Sequence, residues 1–325
     1  MGKRARLRNR TSTTRVEASR NGAPDGAPDG ATTGPRQPCP CGSGRRYKAC
    51  HGNDAGAPPV FVARPFEGLG SEADVVALRE FVPAATAPLH LAEGDRTVLL
   101  CSLLPAAAPA LVRADGTIWL GLQVQHSYGD PSRDLAAVLL KALDAEPGEM
   151  VGLAESPGSG PRLQDLVTGE ELEITVHDGF EYWVADLEDT EGSMAAALQQ
   201  ANESAAPTQR LAGVQGAYWT SVGNREYLRW VLPHDEDQVL DGFARLHVTH
   251  AEHLADNDRL IGMFRAHGLV APVWDLPLGT GATALEAPAA KLVKALGGAM
   301  ASTAPLTSEE RAARAGLASR QLTIR

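Results

Sequence analysis

Apolar residues recur along the middle of this chain in two rhythms. Val75, Leu78 and Val82 stand three and four positions apart behind Ser71-Glu-Ala-Asp74, the pattern of a short helix opened by a capping box and running to about Phe81. From residue 110 a compound pattern sets in: two β-prone runs flank a tight turn, and a helical stripe follows. First, residues 110–112 turn at Asp115-Gly116 into residues 117–124, and Asp130-Pro131 opens a helix with Leu135, Val138, Leu139, Ala142 and Leu143 on one stripe. Next, residues 172–176 turn at Asp178-Gly179 into residues 180–184, with a helix from about Glu191. Then residues 217–222 turn at Gly223-Asn224 into residues 226–232, and a helix carries Val239, Phe243, Leu246, His250 and Leu254. A partial fourth unit joins residues 269–274 to a helix over 287–297. Trp119, Trp183 and Trp230 fall in the second strand of each hairpin.

Hairpins followed by helices predict an α+β body: an antiparallel sheet built from repeated hairpin–helix units, with helices packed on one face. The chain divides into a disordered basic arm (1–36), a small N-terminal metal module (37–53), the α+β domain (54–300) and a charged C-terminal helix and loose tail (301–325). The arm has almost nothing to bury, and residues 22–30 repeat a turn-forming Gly-Ala-Pro-Asp unit. With 325 residues and 43% hydrophobic content, a full core is within reach. The longest apolar run, 97–112, is shorter than the roughly 20 residues that span a bilayer and is broken by Pro105 and Pro109, so it reads as strand and loop. No apolar stretch follows the basic start, so no signal peptide is expected. Cys101, in an apolar run, reads as a buried small hydrophobe, and no disulfide framework remains; a cytoplasmic location follows as the expectation.

Charge is split sharply. Residues 1–52 hold 11 of the 30 Lys and Arg but 3 of the 40 Asp and Glu, so a stretch of net +8 precedes a remainder of net −18. The basic arm reads first as a solubilising tail, and alternatively as an electrostatic attachment to an acidic partner or to RNA. No aromatics interleave the arginines, so base stacking is not supported.

The densest chemistry is Cys39-Pro-Cys41-Gly-Ser-Gly-Arg-Arg-Tyr-Lys-Ala-Cys50-His51. Three of the four cysteines and one histidine fall within thirteen residues, a donor set of the kind tetrahedral zinc takes. Gly42 and Gly44 let the backbone turn its amides on the thiolates, while Arg45, Arg46 and Lys48 lower thiol pKa values. A redox Cys-x-Cys pair or a disulfide is the competing reading; four convergent ligands favour the metal. The stretch resembles the SEC-C motif, the short zinc module best known from the C-terminus of the SecA translocase motor. That resemblance implies Cys39, Cys41, Cys50 and His51 as ligands, and a docking device for a protein partner or the ribosome, with a link to protein export or the ribosome. Three further segments, Arg64-Pro-Phe-Glu-Gly-Leu69, Leu78-Arg-Glu-Phe-Val-Pro-Ala-Ala-Thr86 and Phe264-Arg-Ala-His-Gly-Leu269, resemble an uncharacterised actinobacterial family that pairs SEC-C with a domain of unknown function.

Other clusters read as structural. Asp186, Glu188, Asp189 and Glu191 precede a helix, as do Asp235, Glu236 and Asp237, where carboxylates satisfy free amides. His247, His250 and His253 are spaced by threes on one predicted helix, which would permit a second metal site; with no accompanying Cys or H-E-x-x-H order, they read as partly buried structural histidines. Gly279-Thr-Gly281-Ala-Thr-Ala284 has dinucleotide-loop spacing, but no second strand follows, so it reads as a helix-start loop. A P-loop and a G-x-S-x-G elbow are both missing, which excludes a SecA-type ATPase and an α/β-hydrolase nucleophile. The picture is of a zinc-binding adaptor; the alternative is an enzyme with its pocket against the sheet near Asp186 and Glu191.

Overall fold

Two sheets carry the structure, a computed structural model describing residues 61–153, 160–184 and 193–322. The first holds β1 (Ala85–Leu89), β2 (Val98–Cys101), β3 (Ala110–Val112), β4 (Ile118–Gly121), β5 (Met150–Val151) and β6 (Thr175–Val176), in the order β5-β3-β4-β2-β1-β6. Its strands run antiparallel except for the parallel pair β2–β4. The second holds β7 (Thr208–Arg210), β8 (Ala217–Val222), β9 (Arg225–Trp230), β10 (Arg259–Ala266) and β11 (Leu269–Leu276), antiparallel throughout, in the order β10-β11-β9-β8-β7. Among the described residues the α-helices are α1 (Glu72–Glu80), α2 (Pro131–Leu143), α3 (Ser193–Ser204), α4 (Glu236–Val248), α5 (Gly281–Met300) and α6 (Ser308–Ser319). The class is α+β, as the pattern predicts, but the strands form two mostly antiparallel sheets rather than one.

Strand alternation decides which side of each sheet is covered. Leu228 and Trp230 of β9 join Val239, Phe243, Trp274, Leu285 and Leu292 in a core between the second sheet and helices α4 and α5. The opposite face of that sheet gives Tyr218, Phe264 and Val273 to a larger core built with α1, α2 and the first sheet. Phe81, just after α1, meets both Tyr218 and Phe264 edge-on, at ring distances of 6.0 and 5.7 Å. α4 and α5 cross closely at Gly242, where a Cβ would stand 2.8 Å from Leu296 and Met300 side-chain atoms.

The expected hairpin over 172–184 does not form. Residues 175–176 pair with β1 instead, and Glu181–Trp183 coil into a 3-10 turn. The aromatic side chains explain the departure. Phe180 stacks on Trp183 at 4.2 Å, and Tyr182 and Trp183 both donate to the Leu103 carbonyl, packing beside Cys101, Leu104 and Trp119 on the outer face of the first sheet. Burying four aromatic rings there outweighs a two-stranded ladder at a strongly polar turn. The partial fourth unit is a full hairpin: β10 precedes β11 through a two-residue turn at His267 (φ 49) and Gly268 (φ 80), and α5 follows, longer than the predicted 287–297.

Ser71 does stand at the N-cap of α1, but its side chain makes no cap bond. Its hydroxyl accepts from the Leu172 amide instead, and Asp74 is drawn into the core, so the predicted capping box does not close. At the other end of the chain, Thr307 and Glu310 close a reciprocal capping box on α6. Leu317 is buried against α4, and Arg314 binds Asp241 at 2.6 Å and also Asp237. Residues 320–322 then bond to Met263 on both sides, covering the outer edge of β10.

Candidate functional site

Cys39, Cys41, Cys50 and His51 lie outside the described residues, as do Asp186, Glu188, Asp189 and Glu191. The donor set itself, three thiols and an imidazole at Cys-x-Cys and Cys-His spacing, fits tetrahedral zinc.

The histidine series is not on one helix. α4 stops at Val248, because the chain turns left-handed at His250 (φ 55). His247 instead pairs through Nδ1 with Glu252 at 2.6 Å, and His253 through Nδ1 with Asp258 at 2.5 Å. The Asp258 hydrogen bond raises the His253 pKa, against partial burial. Among the described residues, no group of three or more His, Cys, Asp or Glu is arranged to hold a metal ion.

The glycine loop before α5 is a helix start, and its anion-binding amides are already taken. Glu226, 5% exposed, accepts from the Gly279 amide at 2.6 Å, the Gly281 amide at 2.9 Å and the Trp219 indole at 2.8 Å. Burial alone would raise its pKa; those donors hold it below the ordinary value. Asp235 caps α4 as expected, accepting from the amides of Asp237 and Gln238. Cys101 is fully buried, and burial pushes its thiol pKa up, so it is no nucleophile.

A cavity of about 680 Å³ does gather chemistry. Arg79, Glu80, Ser127, Arg265 and His267 line it, with Phe61, Val62 and Pro131 giving it apolar wall. The end of α1 brings Arg79 and Glu80, the β10–β11 turn brings His267, and the entry to α2 brings Ser127 and Pro131. His267 is fixed twice: Nε2 lies 2.8 Å from Glu80 Oε1, and the ring sits edge-on to buried Phe66 at 5.3 Å. That hydrogen bond holds the Glu80 pKa down, against burial. Gly268 is required there, since a Cβ would stand 2.8 Å from the Ala63 carbonyl oxygen. The three resembling segments thus converge: Arg64 and Phe66, Arg79 and Glu80, Arg265 and His267 all stand at or beside one cavity. The sequence marked the segments but gave no reason to join them, because the contacts span up to 187 positions.

A second cavity, about 540 Å³, lies on the outer face of the first sheet. Pro105, Leu111, Arg113, Trp183, Leu198 and Ala201 line it, and the Arg113 guanidinium stacks on Trp119 at 4.3 Å. Trp183 and Val184 on its wall closely precede, in sequence, the acidic cluster of the enzyme alternative.

A family model described as "Family of unknown function (DUF5926)" matches residues 65–325. The chain belongs to that family. A second model, the SEC-C motif, matches residues 36–53, the stretch holding Cys39, Cys41, Cys50 and His51. SEC-C is a motif of zinc-binding type. No curated protein and no solved structure matches the chain. The DUF5926 match takes in both sheets and the residues lining both cavities from Arg79 onward. Among the described residues, no helix is long and apolar enough to cross a membrane.

Proposed function

We propose that this DUF5926 protein is a cytoplasmic adaptor whose SEC-C module, closed on zinc by Cys39, Cys41, Cys50 and His51, docks an acidic macromolecular face: a protein partner or the ribosome. The SEC-C match at residues 36–53 carries the reading. Four protein ligands would leave no open position for a catalytic water, so the zinc would be structural. Around them Arg36, Arg45, Arg46 and Lys48 supply a cationic rim, and the net +8 of residues 1–52 would speed association with an acidic surface.

The body supports a binding role over a catalytic one. Four of its carboxylates are committed to structure: Asp74, Glu226 and Asp258 accept internal hydrogen bonds, and Asp235 caps a helix. The enzyme alternative is favoured by one observation, the Glu80–His267 pair in a cavity that also holds Arg79. Affinity capture with a charge-reversed SEC-C module tests the docking role directly.

A further inference from the structure

The cavity at the end of α1 is left unused by an adaptor role, and its charges are unevenly matched. Arg265 places Nε and Nη2 on the Glu236 carboxylate, and Arg64 holds Glu72 through two bonds of 2.7 Å. Glu80 is occupied by His267. Arg79 differs from these. Among the described residues its one side-chain hydrogen bond runs from Nη1 to the Leu122 carbonyl, and no carboxylate stands within ion-pair distance of it. A guanidinium carries five N–H donors in a planar fork that matches an oxyanion. Burial lowers the Arg79 pKa, opposed by the charges of Glu80 and Asp134, and among the described residues neither these nor any other carboxylate pairs with it directly.

The surroundings define what would relieve it. The cavity volume falls in the range that encloses small molecules, about 300–1,000 Å³. Phe61, Val62 and Pro131 offer apolar wall, and the first turn of α2, the positive end of a 13-residue helix, borders the same space. We propose that this cavity binds a small organic anion, its carboxylate or phosphoryl oxygens on Arg79 and its apolar part against Phe61, Val62 and Pro131. His267, held by Glu80, lines the same cavity and offers an imidazole to the ligand's polar end. The body alone carries this site, so it stands or falls independently of the zinc module.

Calorimetric titration of the full chain with benzoate, phenyl phosphate and inorganic phosphate tests it. Saturable binding of benzoate or phenyl phosphate is expected, and whichever binds tighter identifies the oxyanion; inorganic phosphate, lacking an apolar part, should bind at least tenfold more weakly than phenyl phosphate. Arg79→Met should abolish binding, and Arg79→Lys, which keeps the charge and loses the fork, should weaken it about tenfold. Arg225→Gln, at a surface pair with Asp275, should leave it unchanged. If Arg79→Met fails to fold, Arg79→Lys decides. Absence of binding by both organic probes to the wild type, or undiminished binding by Arg79→Lys and Arg79→Met, would overturn the proposal.

Discussion

The Tyr218 hydroxyl donates to Asp74 Oδ1 at 2.7 Å, and this bond ties α1 to the second sheet. The same carboxylate, fully buried, accepts from the Gly216 amide at 3.1 Å and from two nitrogens of Arg210 at 3.1 Å. Removing it would strand a phenol, an amide and a guanidinium together. Asp74→Ala is expected to destabilise the body by about 3 kcal/mol or more, and Tyr218→Phe by about 1.5 kcal/mol. Urea unfolding should show the midpoint falling in that order with the slope unchanged. Equal, small losses would show the network to be dispensable.

Glu226 fills a glycine loop that otherwise has the spacing of a nucleotide site. Its pKa is depressed from 4.5, so its contribution is present above that value and is lost as pH falls through the lower folded value. Glu226→Gln should cost about 1–3 kcal/mol at pH 7, and the gap between variant and wild type should close in acid. Melting curves from pH 3 to pH 7 check this; a gap that does not change with pH would assign the loss to packing instead.

The His253–Asp258 pair has the opposite sign. The folded pKa of His253 is raised above 6.5, so its stabilisation is full below pH 6.5 and is lost as pH rises through the folded value. Asp258 and Glu252 are the carboxylates that face it. The melting temperature of His253→Gln should fall below that of wild type at pH 6 and approach it at pH 8.5. Because His253 is nearly half exposed, the difference will be small. A difference that grows with pH would contradict the pairing.

Much of this fold was legible because its signals are local. Gly223-Asn224 and Asp115-Gly116 are turns that favour one hairpin geometry each, and both hairpins formed. Asp130 and Asp235 cap the helices they precede. What misled was where a local signal competed with distant burial. Ser71 and Asp74 have capping-box spacing, yet their partners, Leu172 and Tyr218, lie 101 and 144 positions away. Asp178-Gly179 is a hairpin turn in isolation, yet Phe180, Tyr182 and Trp183 gain more by packing beside Trp119. The Arg79 cavity is assembled wholly by such long-range contacts. His267-Gly268 between two apolar runs was readable as a turn, and would have revealed β10.

Zinc content is the simplest check on the SEC-C module. Metal analysis of the purified chain should give one zinc per chain, and Cys41→Ser should lose it. Equal zinc in both would remove Cys41 from the ligand set.

Docking through the SEC-C module is tested most directly by affinity capture with the wild type beside an Arg45→Glu/Arg46→Glu variant that still binds zinc. The charge-reversed variant is expected to lose specific partners that the wild type retains. Those partners should weaken as salt rises, because at ~0.15 M screening already cuts contacts beyond about 8 Å. Identical partner lists from the two proteins would contradict a docking role for the basic zinc module.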